Sequence, residues 1–404
     1  MAEPLIVIGN GMAAAKFAEE LAARALGRYA VAVIGEEPHL AYNRVLLSSV
    51  LAKESNLDAI GLKSATWWRD RGVTLRYGCA ARAVDLGART VTLKDGKVLG
   101  FSKLVFATGS LPIRLSLPGG DLPGVVTFRD IADVATMNAV ARAGARVVVV
   151  GGGLLGLEAA YGLSKSGAKV TLVHLMDRLM ERQLDARAAI LLRRAVEALG
   201  ISVLTSAETD RVEGSGRAEA LVLKDGRRLA ADAVVFAVGI APNIALAREA
   251  GLRTGRGILA DDGLECSTPG TYAIGECVEH RSRCYGLVEP AYEQARVLAR
   301  RLAGERVAYE GSVLATNLKV SGVNVFSSGE FLGGSGSEDI VFSDPGFGTY
   351  KKLVIRDGRL VGAVLYGDTA DGLWYLDLIR SGVPIEAMRG DLIFGRAFAG
   401  REAA

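Results

Sequence analysis

The sequence predicts an α/β chain in which two strand–helix–strand units repeat one another, one inserted in the other, with a small α+β module at the end. Three observations carry this expectation. Two glycine-rich turns each follow directly on an apolar strand: Gly9-Asn10-Gly11-Met12-Ala13-Ala14 after LIVI, and Gly151-Gly152-Gly153-Leu154-Leu155-Gly156 after VVVV. The run Leu93-Lys94-Asp95-Gly96 recurs as Leu223-Lys224-Asp225-Gly226, an offset of 130 residues, and KLVFATG and AVVFAVG close on Gly109 and Gly239 at the same offset. From about Asn317 the pattern changes to alternating runs around an Asp357-Gly358 turn, followed by a helical segment, DGLWYLDLIRSG.

Each half reads in the same order. A strand, a glycine turn and a helix come first, then a second strand, further helices, an Asp-Gly hairpin and a last apolar strand ending in glycine. Short apolar strands alternating with helices imply a parallel sheet covered on both faces. After Gly239-Ile240-Ala241-Pro242-Asn243 the chain returns to the first unit. Thr271-Tyr272-Ala273-Ile274-Gly275-Glu276 reads as a strand ending in a glycine and an acid, and Glu289 to Ala303 as an amphipathic helix with Pro290 in its first turn. The expected division is 1–115 with 243–310, then 116–242, then 311–404. The last segment reads as a small antiparallel sheet with one or two helices, suited to covering a cofactor or to building a homodimer face.

Bulk numbers narrow the function. At 404 residues with 50% hydrophobic residues, the chain has material for two or three cores. A formal net charge of +3, with no basic block or acidic tail, argues against nucleic acid or a membrane surface as the main partner. The N-terminus MAEPLIVIGNG lacks the features of a secretory signal. The most apolar stretch, Val147 to Leu163, is broken by Gly151, Gly152, Gly153 and Gly156 and carries Glu158, unlike a membrane span. Cys79, Cys266, Cys277 and Cys284 form neither a CxxC pair nor a metal-ligand array, so no metal is expected and a reduced, cytoplasmic setting is.

The turns suggest dinucleotides. In such a turn the first glycine makes the bend, the second lets the main chain approach a pyrophosphate, and the third lets helix and strand pack closely. The helix N-terminus then offers free N–H groups and the positive end of its dipole. Gly9, Gly11 and Ala14 fill these places in the first half, with Met12 and Ala13 opening the helix. Gly151, Gly153 and Gly156 fill them in the second, with Leu154 and Leu155 between. The two halves therefore read as Rossmann-like dinucleotide-binding domains. An acid at the end of the following strand binds ribose hydroxyls. Glu36, with Glu37 beside it, stands there in the first half. In the second, KVTLVHLMDR places His174 where an acid is expected, with Arg178 nearby as a site for a 2′-phosphate, so NADH and NADPH both stay open. Two dinucleotides in one chain point to electron transfer between a nicotinamide and a flavin.

The motifs Gly9-x-Gly11-x-x-Ala14, Ala107-Thr108-Gly109, Gly151-x-Gly153-x-x-Gly156 and Tyr272-Ala273-Ile274-Gly275-Glu276 resemble those of the two-dinucleotide-binding flavoprotein reductases that share the glutathione reductase fold. Within them, Tyr42-Asn43-Arg44-Val45-Leu46-Leu47-Ser48-Ser49 and the run from His174 to Asp185 resemble the flavin region of the assimilatory nitrite reductase large subunit and the electron-transfer subunit of assimilatory nitrate reductase. The resemblance implies FAD on the first turn and tilts the second toward NADH. It implies that Ala107, Thr108 and Gly109 pass by the flavin, that Gly275 and Glu276 contact its ribityl–phosphate part, and that the helix opening at Pro290 and Ala291 aims at its pyrimidine. It places Glu158 near the flavin–nicotinamide junction as the candidate catalytic residue, Arg44 toward the FAD phosphates, and Gly239 at the end of the second nucleotide domain.

Two departures shape the expected activity. The disulfide reductases of this group carry a redox cysteine pair where this chain has Tyr42 to Val50, with no cysteine. The cysteine-rich segments that serve an iron–sulfur cluster and sirohaem in complete nitrite reductases are missing before Ala404. The expected function is an FAD-dependent NAD(P)H oxidoreductase that passes electrons to a separate protein, a nitrate or nitrite reductase, with ferredoxin or rubredoxin as the alternative acceptor. A subunit that binds FAD and NADH without turnover is the alternative of another class.

Overall fold

The computed structural model describes residues 2–320 and 322–399; Met1, Ser321 and 400–404, the last of which end the expected C-terminal segment, lie outside the described residues. The chain divides into two compact units. The first comprises Met1–Leu47, Ser55–Pro112 and Ile240–Ser312, and the second Ser48–Glu54, Ile113–Gly239 and Val313–Ala404.

In the first unit, five parallel strands run in the order Thr271–Ala273, Lys103–Phe106, Glu3–Ile8, Tyr29–Ile34, Thr74–Arg76. Alternation along Glu3–Ile8 divides the core. Leu5 and Val7 join the helices Met12–Ala25 and Val288–Leu302 through Phe17, Leu21, Leu298 and Leu302. Ile6 and Ile8 join the opposite layer through Val91, Leu93 and Phe106. Both faces of the sheet are thus buried, as short all-apolar parallel strands require. A three-stranded antiparallel sheet, Ala81–Asp85, Thr90–Leu93 and Val98–Gly100, supplies that opposite layer.

The second unit repeats the plan. Its parallel sheet runs Ser202–Leu204, Lys169–Val173, Arg146–Val150, Ala233–Phe236, Val125–Thr127, beside an antiparallel sheet of Thr209–Glu213, Ala220–Leu223 and Arg228–Ala230. The two Asp-Gly hairpins match: Leu93 N–H donates to Lys97 O at 2.8 Å and Leu223 N–H to Arg227 O at 2.9 Å.

The C-terminal segment forms a five-stranded antiparallel sheet in the order Ala315–Val320, Val323–Gly329, Arg359–Tyr366, Thr349–Arg356, Glu338–Asp344. Asp357 and Gly358, at φ of +51° and +66°, make the two-residue turn between its central strands. Helix Gly372–Ser381 closes over Phe326, Leu353 and Leu365 with Tyr375 and Leu376. This sheet clusters with the second unit's parallel sheet. The hydroxyl of Tyr350 donates to Asp185 Oδ2 at 2.5 Å and that of Tyr366 to Leu191 O at 3.1 Å. Ser48–Glu54 also joins that unit. Tyr161 donates to Glu54 Oε1 at 2.7 Å, and Leu51 packs so closely on Gly162 that a Cβ there would lie 2.8 Å from its Cγ.

No helix among the described residues is long and apolar enough to cross a membrane.

Candidate functional site

The two glycine turns have the same construction. Gly9 and Gly151 sit at φ of +118° and +120°, and a Cβ on them would lie 2.0 Å from Ala107 O and 2.2 Å from Ala237 O. The bend and the neighbouring strand together exclude every side chain. Gly11 and Gly153 differ. Both have ordinary extended backbone and cap the helices Met12–Ala25 and Leu154–Lys165, and a Cβ on either would meet nothing within 4 Å. The protein itself does not demand glycine there. The open space beside a helix N-terminus with no acid in its first turn fits the pyrophosphate of a dinucleotide. Met12, Ala13 and Ala14, and Leu154 and Leu155, form those first turns. At the third place a Cβ on Gly156 would lie 1.8 Å from Gly151 O, whereas the first half accommodates Ala14, fully buried.

The first unit gathers its other candidate residues around strand ends. Glu36 is exposed just beyond strand Tyr29–Ile34. Glu37 is engaged elsewhere: it accepts from the Tyr42 hydroxyl at 2.6 Å and pairs with Arg44, whose Nη1 also donates to Tyr42 at 2.8 Å. Ala107 N–H donates to Ile8 O, Thr108 Oγ1 to Asn243 O at 2.7 Å, and Asn243 N–H to Gly109 O. Gly275, at φ +86°, lies against Ala13, with 3.1 Å from its virtual Cβ to the Ala13 Cβ, so the late strand end meets the first helix turn. Glu276 accepts from Ser110 Oγ at 2.6 Å. Helix Val288–Leu302 carries Pro290 and Ala291 in its first turn, both buried, together with Glu289, which pairs with Arg296.

In the second unit, Glu158 lies on the helix that opens at Gly153. It is half-buried, and burial pushes its carboxyl up to about 8, so it is mostly protonated at neutral pH. Gly239, at φ +117°, accepts from Ile113 N–H at 3.0 Å. The expectation for His174 needs correcting by one residue. Gly9 N–H donates to Ile34 O and Gly35 N–H to Arg76 O; in the same pattern Gly151 N–H donates to Val173 O and His174 N–H to Leu204 O. His174 therefore corresponds to Gly35, and the counterpart of Glu36 is Leu175, which is 61% exposed. Among the four free thiols, burial pushes those of Cys266, Cys277 and Cys284 up, away from the reactive thiolate.

Several contributors escaped the sequence reading. Gln294, 1% exposed, accepts from Gly275 N–H at 2.7 Å. Its signal was a polar residue on the apolar face of an amphipathic helix, beside Ala291, Ala295 and Leu298. Asn10 anchors the first turn by donating to His39 O at 3.1 Å. Ser110, which holds Glu276, carried no signal in sequence.

Two glycine cradles on two repeated parallel sheets define a two-dinucleotide oxidoreductase. Residues 3–295 match the family described as pyridine nucleotide-disulphide oxidoreductase, and residues 315–383 the rubredoxin NAD+ reductase C-terminal domain. The chain belongs to this pyridine nucleotide-disulphide oxidoreductase family, whose members bind FAD and NAD(P)H. It is 43% identical over 93% of its length to a nitrite reductase [NAD(P)H] of Bacillus subtilis, covering 47% of that protein. It is 39% identical over 92% of its length to the assimilatory nitrate reductase electron transfer subunit of the same organism, covering 48% of it. The chain thus spans about half the length of these curated relatives. Its fold matches, with a TM-score of 0.88, 24% identity and 100% coverage of both chains, a structure described as the covalent putidaredoxin reductase–putidaredoxin complex.

Proposed function

We propose that this chain is an FAD-dependent NADH oxidoreductase that delivers electrons to a separate nitrate or nitrite reductase protein. The observation that carries the reading is the pair of cradles: at Gly11 and Gly153 the backbone stays bare beside a helix N-terminus although the protein itself would admit a side chain. The bound flavin supplies hydride acceptance from the nicotinamide and onward electron transfer. The residues of the chain bind and orient. Amides following Gly11 and Gly153 receive the two pyrophosphates, and Glu36 accepts from the adenosine ribose of FAD. Glu276, aimed by Ser110, and Gly275, aimed by Gln294, hold the ribityl–phosphate stretch. Arg44, already paired with Glu37, stands toward the adenine side. Glu158, protonated near neutral pH, offers a hydrogen-bond donor along the coenzyme helix. Hydride transfer itself requires no acid–base group, so the contribution is alignment and exclusion of water.

The division of labour follows 1–115 with 243–310 for FAD, 116–242 for the coenzyme and 311–404 for partner or subunit contact. The rubredoxin reductase-like terminal segment and the putidaredoxin reductase likeness support a protein acceptor, and keep a ferredoxin or rubredoxin as the second reading. Four free thiols suit a cytoplasmic setting.

The test is anaerobic. The purified protein should be yellow and should bleach on mixing with NADH, then recolour on adding a nitrate or nitrite reductase acceptor. Recolouring by ferredoxin or rubredoxin alone would select the second reading. Bound NADH without bleaching would mark a sensing subunit, and a folded, colourless protein that refuses FAD would end the proposal. NADPH in parallel settles the coenzyme.

A further inference from the structure

The middle residues of the two glycine turns are built in opposite ways. In the first, the turn residue is Asn10 and the residue after the second strand is Gly35, where a Cβ would lie 2.6 Å from the Asn10 Cβ. In the second, the turn residue is Gly152 and the residue after the strand is His174; a Cβ on Gly152 would lie 2.7 Å from the His174 Cγ. Each turn has room for one side chain at this contact, and the halves place it on opposite partners. The flanking main-chain bonds correspond one to one, since Cys79 N–H donates to Gly35 O and Ala207 N–H to His174 O, both at 2.9 Å.

The imidazole uses that space. Gly152 N–H donates to His174 Nδ1 at 3.0 Å, and His174 Nε2 lies 3.0 Å from Glu181 Oε2. An Nδ1 that accepts an amide proton carries none, so in the neutral ring the proton sits on Nε2 and is donated to Glu181. Both ring nitrogens are thereby engaged within the protein, and the residue is 8% exposed. The carbonyl of Gly152 is held as well, by Met180 N–H at 3.0 Å, with Met180 itself at φ +51°. The segment from His174 to Glu181 therefore grips the central residue of the turn at both its N–H and its C=O, one on each of two successive peptide groups.

We propose that His174 is a positioning residue for the nicotinamide coenzyme: its Nδ1 fixes the peptide of Gly152 so that the amides beyond Gly153 keep their aim at the pyrophosphate. The role rests on the reading of the second turn as the coenzyme site. It differs from the direct ribose contact expected of a strand-end residue, because the ring has no nitrogen left to offer a ligand. Glu181, through Nε2, sets the tautomer that makes Nδ1 an acceptor.

Two amides that mimic one nitrogen each provide the test. In His174→Asn the side-chain oxygen falls near the place of Nδ1, and in His174→Gln near that of Nε2. Holoenzyme affinity for NADH, read as Kd by titration and as KM in anaerobic flavin reduction, should stay within about threefold of wild type in His174→Asn. It should weaken about tenfold in His174→Gln and His174→Ala, the usual effect of losing one buried hydrogen bond. The loss should appear in KM rather than kcat, with FAD content retained. If the Gln variant does not fold, Gly152→Ala displaces the same ring and should show the same KM loss. Equal Kd values for the Asn and Gln variants, beside a wild type that binds NADH, would overturn the role of His174 alone. A wild type that binds neither NADH nor NADPH would overturn the coenzyme reading as well.

Discussion

Replacing Gly153 with valine separates what the fold needs from what the ligand needs. The residue sits at φ −83° and ψ −170°, backbone that any residue adopts, and a Cβ there would touch nothing within 4 Å. The folding cost is that of a poorer helix N-cap, about 1 kcal/mol or less, a shift of about 2–4 °C in Tm for a domain of this size. The binding cost is larger, because the new side chain occupies the space beside the free amides. Losing one charge-assisted hydrogen bond costs about 1.5–3 kcal/mol, or roughly ten- to a hundredfold in affinity. Anaerobic NADH titration followed by flavin bleaching, with a thermal melt of the same sample, measures both. Gly11→Val should do the same to FAD retention while leaving NADH affinity in FAD-reconstituted protein near wild type. Gly151→Val, at φ +120° and 2.2 Å from Ala237 O, should instead lose the fold. A stable Gly153→Val protein that binds NADH within twofold of wild type would refute the reasoning.

Three further outcomes follow from named contacts. Glu158 has a folded-state pKa of about 8 against an ordinary 4.5, so folding favours its protonated form. That contribution is complete below about pH 4.5 and is lost as pH rises through about 8. Denaturation curves of Glu158→Gln should therefore gain on wild type between pH 5 and pH 9; parallel curves would remove the burial argument. Gln294→Leu leaves Gly275 N–H buried without a partner, which costs about 1–3 kcal/mol; a lowered melt with faster FAD loss is expected, and an unchanged melt would show that the bond carries little. Asp185 caps helix Ala186–Ala198 through Ala188 N–H at 3.0 Å and accepts from Tyr350. Asp185→Ala should cost about 1–2 kcal/mol, and Tyr350→Phe part of that; chemical denaturation showing no loss in either variant would refute the link.

The repeated plan was legible because its signals are local and steric. Two glycine turns after apolar strands, and Asp-Gly pairs at a fixed offset, each need particular residues whatever lies around them. Gly96 and Gly226, at φ of +85° and +88°, show why the hairpins recur unchanged. Placement of the smaller pieces was less legible. Ser48–Glu54 reads as part of the first unit, yet its partner is the small face of a helix more than a hundred residues later, at Gly162. The register at His174 is hidden in the sequence because an apolar run does not mark where a strand ends, while main-chain bonds fix the end at Val173. Gln294 hid inside an otherwise ordinary amphipathic pattern. Its partner is a backbone amide, which leaves no trace in side-chain composition.

The first unit is assembled from three stretches of chain, and its parallel sheet is finished only by Thr271–Ala273, with Val288–Leu302 sealing the helix Met12–Ala25. The inserted sheet instead takes all its strands from Val125 to Phe236. During synthesis, the half that starts later thus has every strand of its sheet in hand first, while the N-terminal half waits on the ribosome with an open edge at Lys103–Phe106 and an uncovered helix face. We expect nascent chains halted near residue 280, with the inserted strands clear of the ribosome, to be protected from protease in the inserted sheet alone; protection of the N-terminal half at that length would contradict this order. Flavin capture then becomes a late event in the life of each molecule, and chaperones that shield apolar surface act chiefly on its first hundred residues.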